Sequence, residues 1–86
     1  MAEVEVGKVT KFFSRVSVGA IEVSGDGFAV GDELHFKGAT TDFTQTVDSM
    51  EVDNQKVERA KAGDLVGIKV KERVRPGDKV FLVTPE

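Results

Sequence analysis

Residues 60–83 read AKAGDLVGIKVKERVRPGDKVFLV. Two Gly-Asp pairs, Gly63-Asp64 and Gly77-Asp78, stand fourteen positions apart in it, each followed by an apolar run. A third pair, Gly31-Asp32, has the same form in AVGDELHF (29–36). Glycine supplies the positive φ that a tight turn requires, and aspartate can bond the backbone beyond it. Pro76 fixes φ at the first central position of the last turn. A cation site would instead need several oxygens converging at about 2.0–2.6 Å, and no D-x-D-x-D-G loop is present. The three pairs are therefore punctuation between strands.

Working outward, valine, phenylalanine and threonine recur in short runs broken by Gly, Asp and Asn, which predicts strands near 3–13, 16–23, 33–37, 43–52, 65–71 and 79–84. In IKVKERVR (68–75), Ile68, Val70 and Val74 fall on one side, with Lys69, Lys71, Arg73 and Arg75 on the other. In ELHFK (33–37), Leu34 and Phe36 alternate with Glu33, His35 and Lys37, so His35 is expected to face solvent. TQTVDSMEV (44–52) alternates imperfectly, which suggests a bulge or bend. VDNQKVERAKAG (52–63) is the one segment with helical potential, since Asp53 or Asn54 could cap Val57 and Ala60, and a turn or single helical turn is expected there. GDGFAVG (25–31) reads as a mobile hairpin loop, because it lacks the helix start that would cradle a phosphate. The pattern predicts one all-β domain over 1–86, a small closed six-stranded Greek-key barrel without edge strands.

At 86 residues the chain supports one compact core. It has no cysteine, which removes disulfides, thiolate metal sites and a cysteine nucleophile. The start MAEVEVGKV has no basic stretch leading into an apolar run, and nowhere do eighteen apolar residues run together. A cytoplasmic chain with no signal peptide and no membrane partner is expected. A GxxxxGK[ST] loop is missing, so no nucleotide is expected. The single His35 has no evident serine nucleophile and orienting acid around it. No catalytic residue, metal ligand or cofactor is assigned.

The formal charge is −3, unevenly spread. Residues 1–55 hold ten acids against Lys8, Lys11, Arg15 and Lys37, whereas residues 56–86 hold eight bases against five acids. Lys69, Lys71, Arg73 and Arg75 on one strand face could meet successive phosphates, with Lys8, Lys11 and Arg15 extending that face. The phenylalanines are assigned to the core, since a chain without Trp or Tyr needs them to fill it.

SRVSVGAIEVSGDGFAVGDELHFKG (14–38), VDSMEVDNQKVERAKAGDLVGIKV (47–70) and VRPGDKVFLV (74–83) resemble the second domain of elongation factor Tu and its relatives. The resemblance covers nearly the whole chain, and its motifs are those of turns and core. It implies a noncatalytic, translation-factor-type barrel. In that family the barrel helps bind the acceptor end of tRNA with a surface that includes the loop matching Asp53-Asn54-Gln55-Lys56 here. FTQTV (43–47), VERA (57–60) and VRPGD (74–78) also resemble the small C-terminal barrel of collagenase-like peptidases. Those proteins are large, and some of their relatives are implicated in modifying RNA. Together these likenesses place association with tRNA or ribosomal RNA, through the seven bases named above, ahead of the alternative, a protein-docking adaptor for a larger enzyme or translation-associated factor.

Overall fold

A computed structural model describes residues 2–85. Its strands are β1 (Ala2–Phe13), β2 (Val18–Val23), β3 (Phe28–Ala29), β4 (Glu33–Lys37), β5 (Asp42–Thr46), β6 (Met50–Val52), β7 (Gln55–Val57), β8 (Arg59–Ala60), β9 (Leu65–Lys69) and β10 (Lys79–Thr84). Eight of them form one sheet in the order β5-β4-β10-β1-β2-β9-β6-β7, and β3 pairs with β8 in a separate ribbon. Every pairing is antiparallel.

The all-β expectation holds, but the closed six-stranded barrel does not. The large sheet ends at β5 on one side and β7 on the other, and no sheet closes on itself. Closure depends on how register and twist accumulate around the sheet, and local alternation carries no record of that. The expected strand 43–52 is two strands, because Val47 leaves β5 to dock on a turn. The expected helical turn is a hairpin: Asp53 and Asn54 have φ of 53° and 65° and join β6 to β7. Two successive positive φ values are the signature of a type I′ turn, whose twist matches that of the strands. Nor is GDGFAVG a loose hairpin loop. It contains β3, and Phe28 is 1% exposed in the core.

That core is built from Phe28, Phe36, Ile21, Leu34, Met50, Ile68 and a set of valines. Phe36 stacks on Phe43, centroids 5.0 Å apart and 14° from parallel. The long strand β1 bends to serve two neighbours through irregularities at Glu5/Gly7 and Val9/Lys11. Gly7 permits the first of these, since a Cβ there would lie 2.7 Å from an Ile21 methyl and 2.8 Å from the Glu22 carbonyl oxygen.

The three Gly-Asp pairs are three copies of one device. In each, glycine takes a positive φ (97° at Gly31, 93° at Gly63, 95° at Gly77). The aspartate amide donates to the carbonyl three residues back: Asp32 to Ala29, Asp64 to Lys61, Asp78 to Arg75. Its carboxylate accepts the N–H of that same residue at 2.8–2.9 Å. The aspartates therefore bond backward across the turn rather than to the backbone beyond it. Each turn then clamps one valine of another segment. The glycine N–H donates to the valine carbonyl, and the valine N–H donates to the aspartate carbonyl, at Val47, Val23 and Val9 respectively. All three valines are buried.

Candidate docking interface

The seven bases lie on four pieces of backbone: Lys8 and Lys11 on β1, Arg15 in the turn between β1 and β2, Lys69 on β9, and Lys71, Arg73 and Arg75 beyond it. All seven are exposed. Lys69 closes β9, whereas Lys71, Arg73 and Arg75 fall in the irregular segment between β9 and β10. Burial of Val70 and Val74 keeps the expected in-and-out pattern without a strand beneath it. The Arg73 guanidinium lies 5.8 Å from the Phe12 ring centroid, and Lys11 Nζ lies 5.5 Å from that of Phe13. Arg75 Nε donates to Thr40 Oγ1 at 3.0 Å. Register sets Lys69 beside Val18 and Val18 beside Phe13. Lys8 is instead flanked by Lys79 and Glu22, roughly 17 Å farther along β1 at the rise of an extended strand. Lys8 therefore stands apart from Lys69.

The same register exposes an apolar groove that the sequence reading missed. Phe13, Val18, Ala20 and Leu65 line it on the outer face of β1, β2 and β9, in a volume of about 490 Å³. Phe13 is 44% exposed and Leu65 56% exposed. Lys11 borders the groove, as do Glu51 and Asp53 of the β6–β7 hairpin. Gly67 keeps the floor low, since a Cβ there would sit 3.3 Å from a Val18 methyl. A signal was available: in Phe12-Phe13 and Leu65-Val66, adjacent apolar residues on a strand must point to opposite faces. Phe13 is thus a correction to the assignment of all phenylalanines to the core.

His35 does not face open solvent. Its side chain is 14% exposed, held between two carboxylates on the outer face of the sheet. Nδ1 lies 3.0 Å from both Glu3 carboxylate oxygens, and Nε2 meets Asp42 Oδ1. The Phe81 ring, on the strand between β4 and β1, lies 6.2 Å away. The hydrogen bond to Asp42, then that to Glu3, holds the imidazole above its ordinary 6.5, and His35 in turn holds the Asp42 carboxyl below 3.8. This is a charge-bridged clamp of β1, β4 and β5. Both ring nitrogens are occupied by carboxylates, and among the described residues no group of His, Asp or Glu is arranged to hold a metal ion. No described helix is long and apolar enough to cross a membrane.

No family model matches the chain. It is 39% identical over 82 residues to an uncharacterized protease of Methanocaldococcus jannaschii, covering 94% of this chain and 20% of that protein. It is likewise 39% identical over 80 residues to a collagenase of Porphyromonas gingivalis, covering 92% of this chain and 19% of that protein. Among solved structures, it matches the C-terminal domain of a Geobacillus thermoleovorans protein assigned to the U32 peptidases, with a TM-score of 0.84 at 21% identity over 90% of this chain and 96% of that one. A second structure of that domain gives a TM-score of 0.85 over 92% and 91%. The fold is that of a U32 peptidase C-terminal domain.

This overturns the translation-factor assignment: the relatives are named protease and collagenase, not elongation factors. With it goes the support that the assignment lent to an RNA-associated role. The physical reason is that VGD, AGD and PGD encode a turn clamping a valine, which any small β-fold can use. The chain spans about one fifth of the length of the curated relatives it matches.

Proposed function

We infer that this chain is a noncatalytic docking module of a peptidase-type protein, packing through the Phe13–Leu65 groove against a catalytic part that lies outside its own sequence. The observation that carries this reading is the alignment itself: 94% of this chain corresponds to 20% of a protein named as a protease. The groove supplies the contact. Its apolar floor with Lys11 on one side and Glu51 and Asp53 on another has the make-up of an interface with a polar rim. Stable partners in solution usually bury about 800 Å² each, more than one shallow groove offers. Tethering within one polypeptide removes that requirement, because a covalent link supplies an effective concentration of about millimolar.

The test is a chimera in which this chain replaces the corresponding fifth of the Methanocaldococcus jannaschii protease. Hydrogen exchange of β1, β2 and β9 is compared between the chimera and the isolated chain. Slower exchange along these strands in the chimera, lost on combining Phe13→Glu with Leu65→Lys, is the expected result. Identical exchange in the two settings would remove the groove as a docking surface.

A further inference from the structure

The edge strand β5 and the segment following β9 face each other across an open groove of about 640 Å³. Thr44, Gln45, Thr46, Ser49, Lys69 and Lys71 line it. β5 pairs with β4 alone, so alternate residues of β5 present N–H and C=O toward the groove. On the far wall, Val70 turns its N–H away, to the Ser17 carbonyl at 2.8 Å. The flanking Lys69 C=O and Lys71 N–H point toward Gln45. Its side chain takes both: Nε2 donates to Lys69 O at 2.9 Å, and Oε1 accepts from Lys71 N–H at 2.8 Å. One primary amide thus engages the carbonyl and N–H on either side of Val70, the pair that a residue of an added parallel strand would engage. The Gln45 side chain stands in for a peptide group.

The geometry points to a binding site for an extended peptide strand in this groove. The incoming backbone displaces the Gln45 amide, takes over Lys69 O and Lys71 N–H, and lies along the free edge of β5. This is strand addition, in which main-chain hydrogen bonds supply the affinity. Glu33 and Asp48 share the lining with Lys69 and Lys71, so the walls carry both signs of charge. That favours an uncharged, extended segment, held by its backbone rather than drawn in by its charge. Nothing here depends on the docking reading: the two grooves share no lining residue.

The experiment is a titration of the ¹⁵N-labelled protein, followed by amide chemical shifts. The probes are an acetylated hexapeptide of alternating threonine and valine, and the same peptide N-methylated throughout. Saturable shifts at Thr44, Thr46 and Lys71 with the first peptide are expected, with binding at least tenfold weaker for the second. In Gln45→Ala, which removes the internal competitor, the first peptide is expected to bind about five- to tenfold more tightly, corresponding to about 1 kcal/mol. No shift at these amides, equal binding of the two peptides, or unchanged affinity in a folded Gln45→Ala protein would each overturn the proposal. If Gln45→Ala does not fold, the two titrations of the unaltered protein decide it. Phe13→Glu with Leu65→Lys leaves this titration unchanged, which keeps its failure separate from failure of the docking module.

Discussion

Gly27 lies so close to Ala60 that a Cβ on it would collide with the Ala60 carbonyl oxygen. The contact forms where β3 meets β8, with Phe28 directly across from Ala60. Gly27 also has a φ of 72°, so alanine there would meet both backbone strain and the clash. Gly31→Ala meets open space at a φ of 97° and suffers strain alone. Urea unfolding should show a loss of about 3 kcal/mol or more for Gly27→Ala and about 1 kcal/mol for Gly31→Ala. Equal losses would mean that the ribbon of β3 and β8 does not sit so tightly over the core.

The Glu3–His35–Asp42 clamp makes stability depend on pH in a defined window. The His35 pKa is raised on folding, first by its bond to Asp42, so its contribution is full below 6.5 and is lost as pH rises through the higher folded value. Asp42 is lowered, chiefly by the bond to His35, so its contribution is present above 3.8 and lost as pH falls through the lower folded value. The clamp therefore stabilises most between these limits. In thermal melts, His35→Gln should flatten the decline of Tm on the alkaline side of pH 6.5 relative to the unaltered protein. Parallel profiles for the two proteins would deny the clamp a role in stability.

Asp78 separates from its two counterparts by burial. It is 4% exposed and packed against Gly38, while Asp32 and Asp64 are only half-buried. Asp78→Ala leaves the Arg75 N–H without its acceptor in a drier setting and opens a gap beside Gly38. A loss of about 2–3 kcal/mol is expected, against about 1 kcal/mol for Asp64→Ala, where water can replace the carboxylate. Calorimetric melts of the two variants check the order. If Asp64→Ala proves the more costly, burial is not what ranks the three turns.

Lys69→Glu combined with Arg73→Glu should leave the fold within about 1 kcal/mol of the unaltered protein. Both side chains are exposed, and the contact of Arg73 with Phe12 is worth about 0.5–1 kcal/mol at such a site. Chemical denaturation followed by circular dichroism measures the difference. A larger loss would make these bases part of the packing around Phe12 rather than a solvated flank.

Much of the secondary structure was legible because its signals are local. β4 announces itself by alternation, β9 and β10 by apolar runs that follow Gly-Asp pairs, and the three Gly-Asp turns by composition alone. What escaped the sequence depends on distance. His35 looked exposed because Glu3, which shields it, lies 32 positions away and reaches it only after β10 intervenes. Val47 looked like strand because nothing nearby shows that it will be clamped by Gly31 and Asp32. The docking groove was half legible: adjacent apolar residues demanded that Phe13 or Phe12 point outward. The peptide groove was not, because the role of Gln45 appears only when residues 69–71 are brought opposite it.

The three clamped valines have a consequence for the order of assembly. Along the chain, the pair Gly31–Val47 lies inside the pair Val23–Gly63, which lies inside Val9–Gly77, like brackets within brackets. The innermost bracket encloses the shortest loop and costs the least chain entropy to close. Once it is shut, the next has less free chain to gather, and the outermost less again. Closure entropy by itself thus favours folding from the middle of the sequence toward both ends, each clasp shortening the search for the next. On that order the first and last strands meet late, and a break near either terminus is expected to cost the nascent fold less than one near Val47.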